Sequence, residues 1–278
     1  YGLIPCQFRI EKHVILGAQS VDTMVDPDYQ GQGLFTVLAN KAIEAAYNKN
    51  IKFLIGFPNS NSMPGFVRRL NWNNIGSIIS YQRPLNAKNV KRIPKSLKPF
   101  AQGIFLILPR GTYKNYDIKP VKIGQMNFSV LLEKWKEELP RGVISVDRSP
   151  EWYAGRYSNG LAMNYKAYVA EKGGQIVAVL IYGCQNTTVL TLADVFGETN
   201  EAKVAIVSKL ISDAKQDGYG SIRTMCHDPN LAQVLSKTGF IKRGKLPLIV
   251  RSMTHVTLPG NIHNISSWKL FGGDVDTI

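Results

Sequence analysis

The sequence predicts an α/β fold organised in two units, and three observations carry that prediction. Strand-like stretches alternate with stretches whose apolar residues recur at helical spacing. The order hairpin, strand, helix, strand, helix, strand occurs twice, once before residue 86 and again after residue 115. At 278 residues with 44% hydrophobic content, the chain can bury two cores of ordinary domain size.

The first unit begins with Ile4 to Ile10 and His13 to Gln19, a hairpin turning at Glu11-Lys12. Gln19 to Val25 has strand composition, and Leu34, Leu38, Ala42 and Ala45/Ala46 recur at helical spacing. Between them Val25-Asp26-Pro27-Asp28-Tyr29-Gln30-Gly31-Gln32-Gly33-Leu34-Phe35 turns strand into helix. The first turn of a helix carries unpaired N–H groups and the positive end of the helix dipole. Two glycines let the backbone bend there with no Cβ in the way, so the stretch reads as a pyrophosphate cradle. Lys52 to Phe57 reads as the next strand, Pro58-Asn59-Ser60-Asn61 as its exit loop and Pro64 to Trp72 as a helix. Ile75 to Tyr81 is a further strand, closed by Arg83-Pro84.

No Lys-Ser/Thr follows the glycines as in a P-loop, and the third glycine of a dinucleotide fingerprint is absent. The stretch resembles the acyl-CoA loop of the GNAT (Gcn5-related) N-acetyltransferases, strand, Val-Asp-Pro-x-Tyr-[Arg/Gln]-Gly-x-Gly, helix. The resemblance continues through Leu70-Asn71-Trp72, where the family has Leu-Gly-Phe/Trp. It implies tandem GNAT-like domains, each a mixed, mostly antiparallel sheet flanked by helices, the first lacking the strand and helices that open the family's fold. It also implies an N-acyltransferase that moves an acyl group, most often acetyl, from acyl-CoA to an amine, without a metal. The implied cofactor-binding residues are Met24 and Val25 beside the pantetheine arm, Gln30, Gly31, Gln32, Gly33, Leu34 and Phe35 through their N–H groups, and Asn59 from the next strand's exit. Arg68 and Arg69, on the helix after that strand, are placed to meet a phosphate. Asp22 is the candidate base, on the reading that a carboxylate turned inward among Val21, Met24 and Val25 needs a task. Aligning Leu70-Asn71-Trp72 on the family pattern puts Val67 where many members have a tyrosine acid, leaving Tyr81 or solvent to protonate the thiolate.

Residues 87–114 read as a basic connector after a first domain at 1–86. A second domain spans 115–260, and a tail with Trp268 occupies 261–278. In the second domain Asp117 to Ile123 reads as a strand, and Phe128, Leu131, Leu132, Trp135 and Leu139 fall on one helical face. Ser149-Pro150 opens a helix through Tyr157, and Lys172-Gly173-Gly174 joins two strands. Val189 to Val195 is a strand, followed by a helix stopped at Gly218, a strand at Ser221 to Cys226, a helix capped at Asp228-Pro229, and a strand at Leu246 to Met253. At the place of the cradle stands Phe196-Gly197-Glu198-Thr199-Asn200, with one glycine and an acid that would repel a pyrophosphate. The second domain therefore reads as a scaffold, an acceptor-pocket wall or a homodimer surface.

The formal charge of +14 is concentrated. No acidic residue lies between Glu44 and Asp117, while twelve lysines and arginines do, among them Arg68, Arg69, Lys88, Lys91, Arg92, Lys95 and Lys98. Such a field gathers polyanions, yet no recognised nucleic-acid module accompanies it. Three cysteines without metal-ligand spacing favour a reduced, cytoplasmic setting, and His13, His227, His255 and His263 are scattered. The apolar runs Gly103 to Leu108 and Ile176 to Tyr182 are too short to span a bilayer, so no membrane partner is expected. The expected acceptor is an amine of a small molecule, an amino sugar or nucleotide sugar. The alternatives are a FemABX-like transferase using aminoacyl-tRNA and a non-catalytic CoA-binding regulator.

Overall fold

A computed structural model describes residues 1–89, 93–125, 127–158, 163–186, 188–253 and 257–275. Lys91, Arg92 and His255 lie outside the described residues. In chain order the elements are β1 (Gly2–Ile10), β2 (His13–Val21), α1 (Leu34–Asn48), β3 (Phe53–Gly56), α2 (Met63–Arg69), β4 (Asn73–Pro84), α3 (Lys98–Ile107), β5 (Asp117–Val121), α4 (Ser129–Glu137), β6 (Ile144–Val146), α5 (Pro150–Tyr157), β7 (Asn164–Lys172), β8 (Gln175–Asn186), β9 (Val189–Gly197), α6 (Asn200–Gln216), β10 (Ser221–His227), α7 (Pro229–Lys237) and β11 (Ile241–Ser252). They divide into two compact units. One comprises Tyr1–Ile78, Pro140–Asp147 and Lys245–Leu270, the other Ile79–Leu139, Arg148–Gly244 and Phe271–Ile278.

In the first unit β1 and β2 form the expected hairpin, in register from Gly2 opposite Val21 to Ile10 opposite His13. β2 pairs in parallel with β3 only from Ala18 opposite Leu54 to Ser20 opposite Gly56. β3 in turn pairs antiparallel with β11. Across the outer edge of β1 lies β6, which pairs with Phe8 to Ile10 and is fixed by Arg9 Nε donating to Asp147 Oδ1 at 2.7 Å. Ala39, Ile43 and Ala46 of α1, with Phe66, Leu70 and Trp72, cover Ala18, Leu54 and Ile249. Phe8, Phe53 and Trp268 form a second aromatic cluster, and Trp268 Nε1 donates to the Ile262 carbonyl at 3.0 Å. After α2 the chain reverses at Asn71, φ +54°. This is the left-handed position where the family pattern has glycine, and asparagine is among the few other residues that tolerate it.

The second unit is built on the antiparallel run β5–β7–β8–β9. β10 adds to β9 in parallel and to the last residues of β4 antiparallel. Gly173 and Gly174, φ +59° and +78°, make the tight β7–β8 turn. Ile206, Val207 and Leu210 of α6 and Val234 and Leu235 of α7 pack over Leu180, Leu192 and Ile222. Leu131, Leu132, Tyr153 and Tyr157 pack over Val169, Val179 and Ile181. The expected caps form: Ser149 Oγ accepts from Trp152 N at 3.1 Å, and Asp228 Oδ1 from Asn230 N at 2.9 Å. Beneath α5 Arg148, 1% exposed, donates Nε to Asp194 at 3.0 Å and Nη2 to Asp274 at 2.7 Å. Its guanidinium lies over the rings of Trp152 and Phe271.

The strand expected at Gln19 to Val25 does not form as such. β2 runs unbroken from the hairpin turn and stops at Val21, because Asp22 takes φ +47° and turns the backbone out of the ladder. The connector also holds more structure than its lysines suggest, since its one apolar run forms α3. Among the described residues no helix is long and apolar enough to cross a membrane.

Candidate functional site

Past Val21 the chain runs irregularly to Asp26, whose carboxylate caps a short turn at Pro27–Tyr29 by accepting from Asp28 N at 3.0 Å. Gln30 N donates to the Pro27 carbonyl at 3.3 Å, and Gln30 Nε2 closes the loop onto the Val25 carbonyl at 3.1 Å. Gly31 and Gly33 then take φ +80° and +77°, a conformation that costs other residues roughly 1–2 kcal/mol. An added Cβ at either would meet nothing within 4 Å, so the space beside both is open.

The first bonds of α1 are Thr36 N and Val37 N to the Gly33 carbonyl, at 3.0 and 3.2 Å. The N–H groups of Gly31, Gln32, Gly33, Leu34 and Phe35 have no acceptor among the described residues. No side chain caps the helix, and no acidic residue stands in its first turn. A row of unmet donors at the positive end of a 15-residue helix is an anion site in search of oxygens.

Two of these residues, Gly31 and Phe35, border an open cleft of about 600 Å³. Met24, Val25, Gln30, Gly31 and Phe35 line it from the loop, and Asn59, Arg68 and Arg69 line it from the β3 exit and α2. The pairing of β2 with β3 ends at Ser20 and Gly56, and the segments that follow both strands form the cleft walls. Arg68 and Arg69 are exposed, and neither is ion-paired among the described residues. The Asn59 side-chain carbonyl accepts from Asn61 N and Ser62 N at 2.9 and 3.0 Å. It therefore shapes the entry to α2 and leaves only its amide N–H groups for a ligand.

Gln32, Gly33 and Leu34 continue the cradle without bordering the cleft. Thr23, Asn61, Ser62, Pro64 and Gly65 border it as well and were not singled out from the sequence. Gly65 carried a usable signal, a glycine inside a helical stretch. A Cβ there would come within 2.7 Å of the Phe35 ring.

The two residues assigned to proton transfer stand apart from this arrangement. Asp22 is exposed, on the left-handed turn that ends β2, so the inward carboxylate expected among Val21, Met24 and Val25 is not present. Tyr81 lies 5% exposed in the core of the second unit. Burial, and then the neighbouring Cys226, raise its phenol above the ordinary tyrosine range. Among the described residues no aspartate, glutamate or histidine borders the cleft.

The corresponding point of the second unit is closed. Thr199 Oγ1 accepts from Ala202 N at 3.1 Å, and Glu198 pairs with Lys134 at 2.6 Å. A Cβ on Gly197 would approach Ala178 to 2.8 Å, so this glycine serves packing against the neighbouring strand.

Residues 1–75 match the family model described as an acetyltransferase (GNAT) domain. The fold of the chain is similar to that of a GCN5-related N-acetyltransferase from Anabaena variabilis, with TM-score 0.62 and 13% identity over 91% of this chain and 59% of that one. It is similar also to Saccharomyces cerevisiae N-myristoyltransferase with bound myristoyl-CoA, with TM-score 0.63 and 14% identity over 89% of this chain and 65% of that one. A GCN5-related N-acetyltransferase from Kribbella flavida gives TM-score 0.59 and 14% identity over 90% and 55%. The chain thus spans less than two thirds of the length of each of these structures. Comparison with curated proteins returns no match. Residues 1–75 thus match a GNAT acetyltransferase domain model, and the fold of the whole chain is similar to that of GCN5-related N-acetyltransferases.

Proposed function

We propose that the protein is an N-acyltransferase that binds acyl-CoA in the Gly31 cradle and acylates an amine of a small molecule. The observation that carries this reading is the run of five backbone N–H groups, Gly31 to Phe35, that have no acceptor among the described residues. A diphosphate supplies oxygens at the spacing of such donors, and Arg68 and Arg69 supply charge at the cleft wall. The thioester carries an acyl carbon open to attack by a neutral amine. The amine nitrogen forms the new C–N bond, the C–S bond breaks, and the thiolate leaves with the electron pair. On this reading backbone N–H groups near Met24 and Val25, which line the cleft, hold the oxyanion of the tetrahedral intermediate. With no carboxylate or imidazole bordering the cleft, the amine's proton leaves through water, to Asp22 or to bulk solvent. Acetyl is the expected acyl group. An amino sugar or nucleotide sugar suits the basic excess between Glu44 and Asp117.

Calorimetry with acetyl-CoA on the whole chain tests the binding half, with a dissociation constant on the order of micromolar expected. Turnover is read by thiol release over a panel of amines. Replacing Arg68 and Arg69 together with glutamine is expected to weaken binding roughly tenfold and to flatten its salt dependence, since exposed phosphate contacts are screened within about 8–10 Å at physiological salt. Undiminished affinity in that variant would remove the arginines from the site. That no carboxylate or imidazole borders the cleft among the described residues favours one second reading, a CoA-binding protein without turnover. Binding with no thiol release across the panel would select it, and binding of tRNA in place of acetyl-CoA would select an aminoacyl-tRNA-dependent transferase.

A further inference from the structure

A second cleft, of about 650 Å³, belongs wholly to the second unit and has no part in the acyl-transfer reading. It is formed by the turn at Ala87–Asn89, the start of α3 and the end of α6. Lys88, Lys95, Lys98 and Lys215 line it, and no carboxylate does. Leu85 and Leu106 contribute an apolar wall. Lys98 Nζ donates to the Lys88 carbonyl at 2.7 Å, tying the start of α3 to the turn. None of the four ammonium groups is ion-paired among the described residues.

An independent observation points the same way. Arg83 is fully buried and pairs with no carboxylate among the described residues. Its terminal N–H groups reach only the Pro84 and Pro109 carbonyls, at 3.5 Å each, and its Nε has no partner. Buried guanidinium groups are ordinarily paired, because an uncompensated charge in a low-dielectric interior costs several kcal/mol. Burial, and then Arg110, press the Arg83 pKa down to about 10. Burial, then Arg110 and Arg83, lower that of Lys215, which also lines the cleft. Arg110 is itself held by its bond to the Leu106 carbonyl at 3.1 Å. Arg83 and Arg110 thus repel Lys215 at the wall of the lysine-lined cleft, a repulsion that an anion bound there relieves.

We propose that this cleft binds the phosphate of an amphiphilic phosphate ester, with the ester's apolar portion against Leu85 and Leu106. Separate ammonium groups act as point charges and match a dianion with three acceptor oxygens better than a single carboxylate, which engages two. The site is independent of the acyl-CoA reading, because every residue in it lies in the second unit.

The test is calorimetry on the whole chain with hexyl phosphate, inorganic phosphate and hexanoate. Hexyl phosphate is expected to bind most tightly, and the Lys95→Gln, Lys98→Gln double variant to weaken it by about tenfold or more through the loss of charge-assisted bonds. Lys95 is exposed in the turn before α3, and Lys98→Gln gives up one surface bond, to the Lys88 carbonyl, so the ligand-free melting temperature should move little, and Lys215→Gln serves as a second variant from a different helix. Hexyl phosphate binding no better than hexanoate, or equally well in both variants, overturns the proposal. Sedimentation with vesicles containing phosphatidic acid, against phosphatidylcholine alone, separates the sources. Lysine-dependent capture by the acidic vesicles assigns the ester to a membrane lipid, and hexyl phosphate binding without capture assigns it to a soluble ester.

Discussion

Gly31→Glu is expected to abolish acetyl-CoA binding, with affinity falling by at least about 100-fold, while the protein stays folded. Two effects add. The backbone at residue 31 has φ +80°, so a side-chain-bearing residue strains it or moves it by roughly 1–2 kcal/mol. The new carboxylate then stands at the open side of the donors that the diphosphate needs, and like charges a few ångströms apart repel by roughly 1–4 kcal/mol at effective dielectrics of about 80 to 20. Gly31→Ala separates the two, with a loss of roughly tenfold from strain alone. Stability should fall by no more than about the 1–2 kcal/mol of that backbone strain, because a Cβ at this position meets nothing within 4 Å. Calorimetry beside a thermal melt reads both quantities. Unimpaired binding by the glutamate variant would mean that the diphosphate is held elsewhere and would remove the basis of the proposed activity.

Much of this site was legible because its signals are local. Gly31 and Gly33 are glycines because of positive φ and open space, and both requirements sit within five residues of the helix they precede. The hairpin at Glu11, the caps at Ser149 and Asp228 and the turn at Gly173–Gly174 belong to the same class. The buried face of α1 was less legible than the helix itself. Leu34, Leu38, Ala42 and Ala45/Ala46 recur at helical spacing, yet the buried residues of α1 are Ala39, Ile43 and Ala46, and Leu38 is 44% exposed. Small residues on both sides of the helix left the period without a clear phase.

The less legible features depend on distant chain. Nothing near Ile144 announces that it will pair with β1, because strand pairing leaves a composition but no address. Tyr81 alternates in a strand pattern that fits a site wall as well as a core, and its burial is set by α7 and β10, more than 140 residues away. Asp22 was placed by extrapolating a strand through a residue that ends it. Aspartate is among the few side-chain-bearing residues that readily take φ near +50°, which is a reason to read it as a strand terminator.

The second large effect lies far from any ligand. Arg148→Met is expected to destabilise the second unit by about 3–5 kcal/mol, the cost of stranding buried charges when one partner of an ion pair is removed. Asp194 and Asp274 are 1% and 0% exposed at their side chains. Tyr153 Oη donates to Asp194 Oδ2 at 3.1 Å, and the Phe271 N–H donates to Asp274 Oδ2 at 2.8 Å, but neither donor carries a charge. Burial works against the Arg148 guanidinium, yet the two carboxylates outweigh it and hold its pKa well above the ordinary value. Removing it should therefore leave two carboxylates that must either stay ionised in a dry interior or take up protons. In a unit of this size a loss of that magnitude lowers the melting temperature by roughly 10 °C. If uncompensated charge is the cause, adding Asp194→Asn and Asp274→Asn to Arg148→Met should recover part of the loss, since neutral amides cost less to bury than unpaired carboxylates. If the loss instead reflects the rings of Trp152 and Phe271 closing on a missing side chain, the triple variant will melt no higher than Arg148→Met alone. The order of those two melting temperatures decides between electrostatics and packing at the centre of the second unit.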